Sequence, residues 1–240
     1  MNLILTMAGK AKRFADEGYK TPKYLLPWGS RTILSTILTE LTKGGAFSEV
    51  FLVANHRDES FMPHVRAIMK DHAINKANLT LVNDTRGQAE TALLGLEALE
   101  KSGKAGSAPV VFHNVDTILY GRDLKQVSQA LQQADGYIDV FGSNNRAYSY
   151  VLVEDKNRVR EIAEKIVVSN LATSGFYGFK SVETFKRNCD REKDTFISSV
   201  YKKIIAGGGA VVVGEKHKET DTVVLGTPTE YISASLLTFS

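Results

Sequence analysis

Asn2-Leu3-Ile4-Leu5-Thr6-Met7-Ala8-Gly9 is an apolar run closed by a glycine, the pattern of a buried strand that ends in a turn. Downstream of it, residues 32–41 set Ile33, Ile37, Leu38 and Leu41 on one helical stripe that stops at Gly44-Gly45. Residues 49–54 predict a second buried strand, 58–72 a helix with Pro63 near its start, and 78–82 a third strand. Residues 88–101 predict a helix, 108–112 a fourth strand and 123–134 another helix. Four strand–helix alternations predict an α/β fold: a mixed, mostly parallel, Rossmann-like sheet flanked by helices. The alternation then stops. Strand patterns at 138–142, 148–153, 158–162 and 174–179 follow with no helix between them, which predicts antiparallel additions in the C-terminal half. Helices are expected again at 182–189, 195–205 and 229–235, with a strand at 210–213. No repeat or linker interrupts the chain, so residues 1–240 are expected to be one domain with two functional halves, 1–120 and 121–240.

Composition narrows the class. Of 240 residues, 43% are hydrophobic and 24% charged, which is globular usage and excludes collagen, coiled coil and a disordered chain. The net charge of +3 is too mild for a nucleic-acid binder. It is concentrated: Lys10, Lys12, Arg13, Lys20 and Lys23 face only Asp16 and Glu17 in the first loop. A local cationic loop suits a small anionic ligand better than a long polyanion. A single cysteine, Cys189, allows no intramolecular disulfide and fits a reducing compartment. The histidines show no metal-ligand spacing. The Leu3-Ile4-Leu5 run is too short for a signal peptide or a membrane span. A cytoplasmic protein with no membrane or nucleic-acid partner is expected.

In open parallel sheets, ligands lie beyond the carboxyl ends of the strands, which singles out the loops at 8–23, 84–88 and 113–118. In the first, backbone amides of a glycine turn can face phosphate oxygens, Arg13 can clamp a phosphate with its planar fork, and Lys23 can act as a mobile point charge. The same residues read equally as a basic surface loop. In the third, Asp116 follows a buried strand, where it could cap a helix or hold a hard cation against phosphates. Glu164-Lys165 by itself reads as part of a solvated charge run.

Taken together these segments resemble the sugar-phosphate nucleotidyltransferases, or nucleoside-diphosphate-sugar pyrophosphorylases, and within them the short group of surface-polysaccharide pathways. The resemblance rests on Gly9-Lys10-Ala11-Lys12-Arg13-Phe14, Pro22-Lys23, Leu25-Leu26-Pro27, Arg86-Gly87-Gln88-Ala89-Glu90, Asn114-Val115-Asp116 and Glu161-Ile162-Ala163-Glu164-Lys165. It also rests on Ser174-Gly175-Phe176-Tyr177, on Leu225-Gly226-Thr227-Pro228-Thr229-Glu230, and on Ser149-Tyr150 before the Glu-Lys element. Two positions depart: Ala11 stands where a second glycine is usual, and Val224 where many members carry a metal-binding Asp.

The resemblance implies a nucleotidyltransferase (GT-A-like) fold and transfer of a nucleotidyl group from an NTP to a phosphorylated small molecule, with release of pyrophosphate. It implies Arg13 and Lys23 as catalytic residues and Ala8, Gly9, Lys10, Ala11, Lys12, Gly87, Gln88 and Asn114 around the nucleotide. It implies Tyr150, Glu164, Lys165, Ser174 and Gly175 around the acceptor. Mg²⁺ would be held by Asp116, with Asp221 the nearest candidate for a second ligand. A GT-A-type glycosyltransferase would normally show Asp-x-Asp, where this chain has Asn114-Val115-Asp116. A catalytically silent nucleotide-binding sensor is the other alternative. Monomer and homodimer both fit, and neither the base nor the acceptor is fixed.

Overall fold

A computed structural model describes residues 1–239. The chain order is β1 (Asn2–Thr6), α1 (Lys12–Asp16), the hairpin β2 (Pro27–Trp28) and β3 (Arg31–Thr32), α2 (Ile33–Thr42), β4 (Glu49–Asn55), α3 (Met62–Asp71), β5 (Leu79–Val82) and α4 (Gln88–Lys101). There follow β6 (Val110–Asn114), β7 (Thr117–Leu119), α5 (Leu124–Gln133), β8 (Gly136–Gly142), β9 (Tyr150–Val153), β10 (Val159–Ala163) and β11 (Leu171–Phe179). The chain continues through α6 (Val182–Asn188), α7 (Ile197–Ala206), β12 (Val211–His217), β13 (Thr222–Val224) and α8 (Pro228–Phe239).

β1 lies between β4 and β6 and is parallel to both, and β5 extends the parallel set beyond β4. β11 joins β6 antiparallel and then branches, pairing with β8 along most of its length and with β9 at Ala172–Tyr150. β10 pairs antiparallel with β9. The expected antiparallel additions are therefore present, and β12, for which the sequence pattern gave no direction, runs parallel to β8. β7 and β13 form a separate two-stranded antiparallel ladder that the sequence pattern does not signal. Three residues are too few for a periodicity. The fourth strand lies two residues later than expected, and the helix expected over 58–72 begins as a 3₁₀ turn, His56–Phe61.

The centre of β1, Leu3-Ile4-Leu5, is apolar because both faces of the strand are covered, as is usual for a central parallel strand. Leu3 and Leu5 face the cluster that holds Leu34 and Leu38 of α2 and Val65 of α3. Ile4 faces the other cluster, with Leu96 and Leu99 of α4 and Val200 of α7. The β7–β13 ladder is tied to the main sheet by a buried ion pair. Arg122 Nη2 lies 3.0 Å from Asp139 Oδ2 on β8, while its Nη1 donates to the carbonyls of Tyr120 and Asp221 at 3.1 and 2.7 Å. Among the described residues no helix is long and apolar enough to cross a membrane.

Candidate active site

β4 lies on one side of β1 and β6 on the other, so their connections diverge at this point and leave a crevice at the carboxyl ends of the strands. A cavity of about 810 Å³ occupies it. Its first wall is the loop after β1. Met7 and Ala8 are buried, and Gly9, Lys10 and Arg13 follow on the surface and line the cavity. Ala11 takes the left-handed conformation, φ 45°, where the resemblance places a glycine. Its carbonyl accepts from the amides of Phe14 and Ala15, which starts α1, while Phe14 is buried and fixes the turn. Ala11 thus reproduces the turn that a glycine would make, at the steric cost of its Cβ. Arg57 Nη2 donates to the carbonyl of Ala8 at 2.8 Å and its Nη1 lies 2.9 Å from Asp84. Lys10 reaches the other oxygen of Asp84 at 3.1 Å. The loop is therefore held from β4 and β5.

Lys23 follows Pro22 in a 3₁₀ turn, and its ammonium lies 2.6 Å from Asp116 Oδ2. Asp116 sits between β6 and β7, with its carbonyl accepting from Leu225 N at 2.7 Å. Burial pushes the Asp116 carboxyl up, but the Lys23 ammonium outweighs it and holds the group below the usual carboxylate range. Lys23 and Asp116 thus meet across the crevice from segments 93 residues apart.

The floor is a chain of hydrogen bonds. Ile197 N donates to Gln88 Oε1, Gln88 Nε2 to Asn114 Oδ1, and Thr6 Oγ1 to the same oxygen at 3.2 Å. Gln88 and Asn114 line the cavity, but their facing groups are already spent on each other. Gly175 has φ 86°, and a Cβ there would lie 2.8 Å from Asn114 Nδ2, so only glycine lets β11 pass over this floor.

On the far wall Glu164 lines the cavity with Oε2 accepting from Ser149 Oγ at 2.6 Å and Ser198 Oγ at 3.1 Å. Ser174 Oγ is buried, lines the same cavity and has no hydrogen-bond partner among the described residues. Lys165 is exposed at the rim, its ammonium 5.7 Å from the centre of the Phe196 ring, and Phe196 itself lines the cavity.

Residues 3–171 match the MobA-like NTP transferase domain. The chain belongs to that family. No curated protein matches it. Solved structures of similar fold include a nucleoside-diphosphate-sugar pyrophosphorylase from Vibrio cholerae RC9, 24% identical, with a TM-score of 0.84 over 98% of this chain and 99% of that one. The inositol-1-phosphate CTP transferase from T. maritima is 15% identical, with a TM-score of 0.71 over 100% and 97%. A UDP-glucose pyrophosphorylase complexed with UDP-glucose is 16% identical, with a TM-score of 0.74 over 98% and 97%. At such identities these likenesses establish the fold, and the family match establishes a nucleotidyltransferase.

Within this NTP transferase the cavity gathers Ala8, Gly9, Lys10, Arg13, Lys23, Gly87, Gln88, Asn114, Asp116, Glu164, Ser174 and Gly175. It does not gather all the expected residues. Ala11 turns the loop and Lys12 opens α1, both outside the cavity lining. Tyr150 is a correction: its ring is fully buried beside Phe141 and Ala172, and its hydroxyl donates to the Asn145 carbonyl. Ser149 directly precedes β9 and Tyr150 opens it; the two neighbouring side chains point opposite ways, so Ser149 lines the cavity and Tyr150 packs in the core. Asp221 is a second correction. It lies in a 3₁₀ turn before β13, outside the cavity lining, and its carbonyl is held by Arg122. Sequence reasoning missed Tyr148, Asp84 and Glu230, all on the lining. The sequence carried a signal for two of them: Asp84 opens the loop at 84–88, and Glu230 closes the element Leu225-Gly226-Thr227-Pro228-Thr229-Glu230.

Proposed function

We propose that this nucleotidyltransferase joins an NTP to a sugar 1-phosphate or a similar phosphorylated small molecule with release of pyrophosphate, in the supply of activated sugars for surface polysaccharide. The observation that carries this reading is the Lys23–Asp116 pair, which sets a cation and a carboxylate together between the cationic loop and the hydroxyl-lined far wall. The first half of the chain would take the nucleotide and the second the acceptor. An oxygen of the acceptor phosphate attacks the α-phosphorus in line, and the bond from that phosphorus to the β-phosphate oxygen breaks. The acceptor phosphate is already an anion, so no base is needed, and catalysis consists of alignment and charge neutralisation. Arg13 would hold the β- and γ-phosphates. Lys23 would leave Asp116 to bridge the α-phosphate and the incoming oxygen. Glu164 and Ser174 would bind acceptor hydroxyls, and Lys165 would reach the acceptor phosphate from the rim.

The family generally uses a divalent cation, and Asp116 fits one. Its carboxylate is a hard oxygen ligand, and the absence of a side chain at Gly226, whose Cβ would stand 3.7 Å from Oδ2, leaves room beside it. When bound there, Mg²⁺ would neutralise phosphate charge. Among the described residues no three His, Cys, Asp or Glu could hold an ion together, which suits a cation shared with the substrate's phosphates.

The test is pyrophosphate release with a panel of NTPs against sugar phosphates and polyol phosphates, with Mg²⁺ present. One pair should give burst-free, acceptor-dependent release. Tight NTP binding without release for every acceptor would favour the sensor, and transfer from a nucleotide-sugar without pyrophosphate would favour the glycosyltransferase.

A further inference from the structure

We infer that Glu230, on the first turn of α8, is the second carboxylate of the cation site. The inference rests on the reading above, in which Asp116 holds Mg²⁺.

Three features support it. A Cβ built on Gly226 would stand 3.4 Å from Glu230 Oε2 and 3.7 Å from Asp116 Oδ2. The two carboxylates therefore flank one gap, with oxygens at most about 7 Å apart, and the gap is kept open by the absence of a side chain at 226. That separation lies within reach of one ion and a water in its shell, given Mg–O distances of about 2.1 Å. Second, Asp116 Oδ2, the oxygen that faces this gap, already carries a cation: the Lys23 ammonium at 2.6 Å. Third, Lys23 neutralises only one of the two charges. Among the described residues Glu230 has no basic partner within ion-pair distance; its contacts are the hydroxyls of Tyr148 at 3.3 Å and Thr227 at 3.0 Å. The surplus negative charge lies at the cavity, where Glu230 is a lining residue.

Glu230 also has a purely structural explanation. Thr227 Oγ1 accepts from the amide of Glu230, as an N-cap side chain does, and donates to the Glu230 carboxylate. The two explanations predict different consequences for charge and for shape. Glutamine preserves a capping partner at this position but removes the charge, and a methyl at 226 fills the gap while leaving every charge in place.

The experiment measures Mn²⁺ binding to the full chain by electron paramagnetic resonance, alongside the melting temperature without metal. Wild type and Asp116→Asn bracket the range. Glu230→Gln should bind Mn²⁺ roughly tenfold more weakly than wild type, with a melting temperature within about 2 °C of it. Gly226→Ala should weaken Mn²⁺ binding in the same direction. The Mg²⁺ concentration for half-maximal pyrophosphate release should rise in parallel for both. Wild-type Mn²⁺ affinity in Glu230→Gln overturns the inference and leaves Glu230 as a cap, with the reading of Asp116 intact. Equal Mn²⁺ binding in wild type and Asp116→Asn overturns both.

Discussion

Gly9, Lys10 and Arg13 on one wall of the cavity are exposed, whereas Ser149, Thr173 and Ser174 on the wall opposite are buried. The first wall is a loop beyond the end of a parallel strand. Its charges stay in water until a ligand arrives, and its shape is fixed by backbone bonds and by Arg57 beneath it. The second wall is made from the antiparallel strands themselves. Its polar groups were desolvated on folding and, Ser174 Oγ apart, are hydrogen-bonded within the fold, as Ser149 and Ser198 are to Glu164. Charge on the loop wall can be altered with little effect on the fold. Polar groups on the strand wall belong to the fold and the site at once.

Four variants test that difference, taken from the largest expected effect to the smallest. Arg122→Met leaves Asp139, 1% exposed behind the strand wall, with only the His217 imidazole at 3.7 Å in place of the guanidinium. Breaking a buried pair from one side should cost about 3–5 kcal/mol in urea unfolding. A loss below about 1 kcal/mol would mean that the strand wall does not depend on its buried charges.

Lys23→Ala should do the reverse. A cation that acts in the transition state is worth roughly 3–4 kcal/mol of barrier, so kcat should fall by two to three orders of magnitude. Stability should change by no more than about 1 kcal/mol, since the pair with Asp116 is partly in solvent. Full kcat at saturating substrates would remove Lys23 from the chemistry.

Lys165 sharpens the contrast because its neighbour Glu164 is partnered and it is not buried. Lys165→Ala should raise the acceptor KM several-fold, leave the NTP KM near wild type, and change stability by less than about 0.5 kcal/mol. An unchanged acceptor KM would return Lys165 to the solvated surface.

The smallest effect is expected at Ala11. Its φ of 45° is strained for a residue with a Cβ. Ala11→Gly should raise stability by roughly 0.5–1 kcal/mol, the relief of strain less the added freedom of the unfolded chain. A lower melting temperature would show that the turn gains more from the methyl's packing than it loses to strain.

The local pattern of this chain carried most of its first half. The apolar run Leu3-Ile4-Leu5, the stripe Ile33-Ile37-Leu38-Leu41 and the helix from Gln88 were legible because a strand buried on both faces and a one-sided helix each impose a period on neighbouring residues. The cationic loop, with Arg13 and Lys23, was legible for a related reason: it is contiguous in sequence, and the end of a parallel strand is where ligands sit. Only the tertiary structure decided what lies opposite. Asp116 and Glu230 are separated by more than a hundred residues, and no periodicity links them. They come together because the three-residue strands β7 and β13 pair and carry Gly226 past Asp116. The same ladder holds Asp221 away from the cavity by its own carbonyl, on Arg122, although its sequence position made it the nearest candidate. Of the pair Ser149-Tyr150 the sequence pointed to Tyr150 for the acceptor, but at the start of β9 the backbone sends Tyr150 into the core and Ser149 into the cavity. Side-chain direction and long-range closure follow from packing across the whole sheet, and no stretch of sequence holds that information alone.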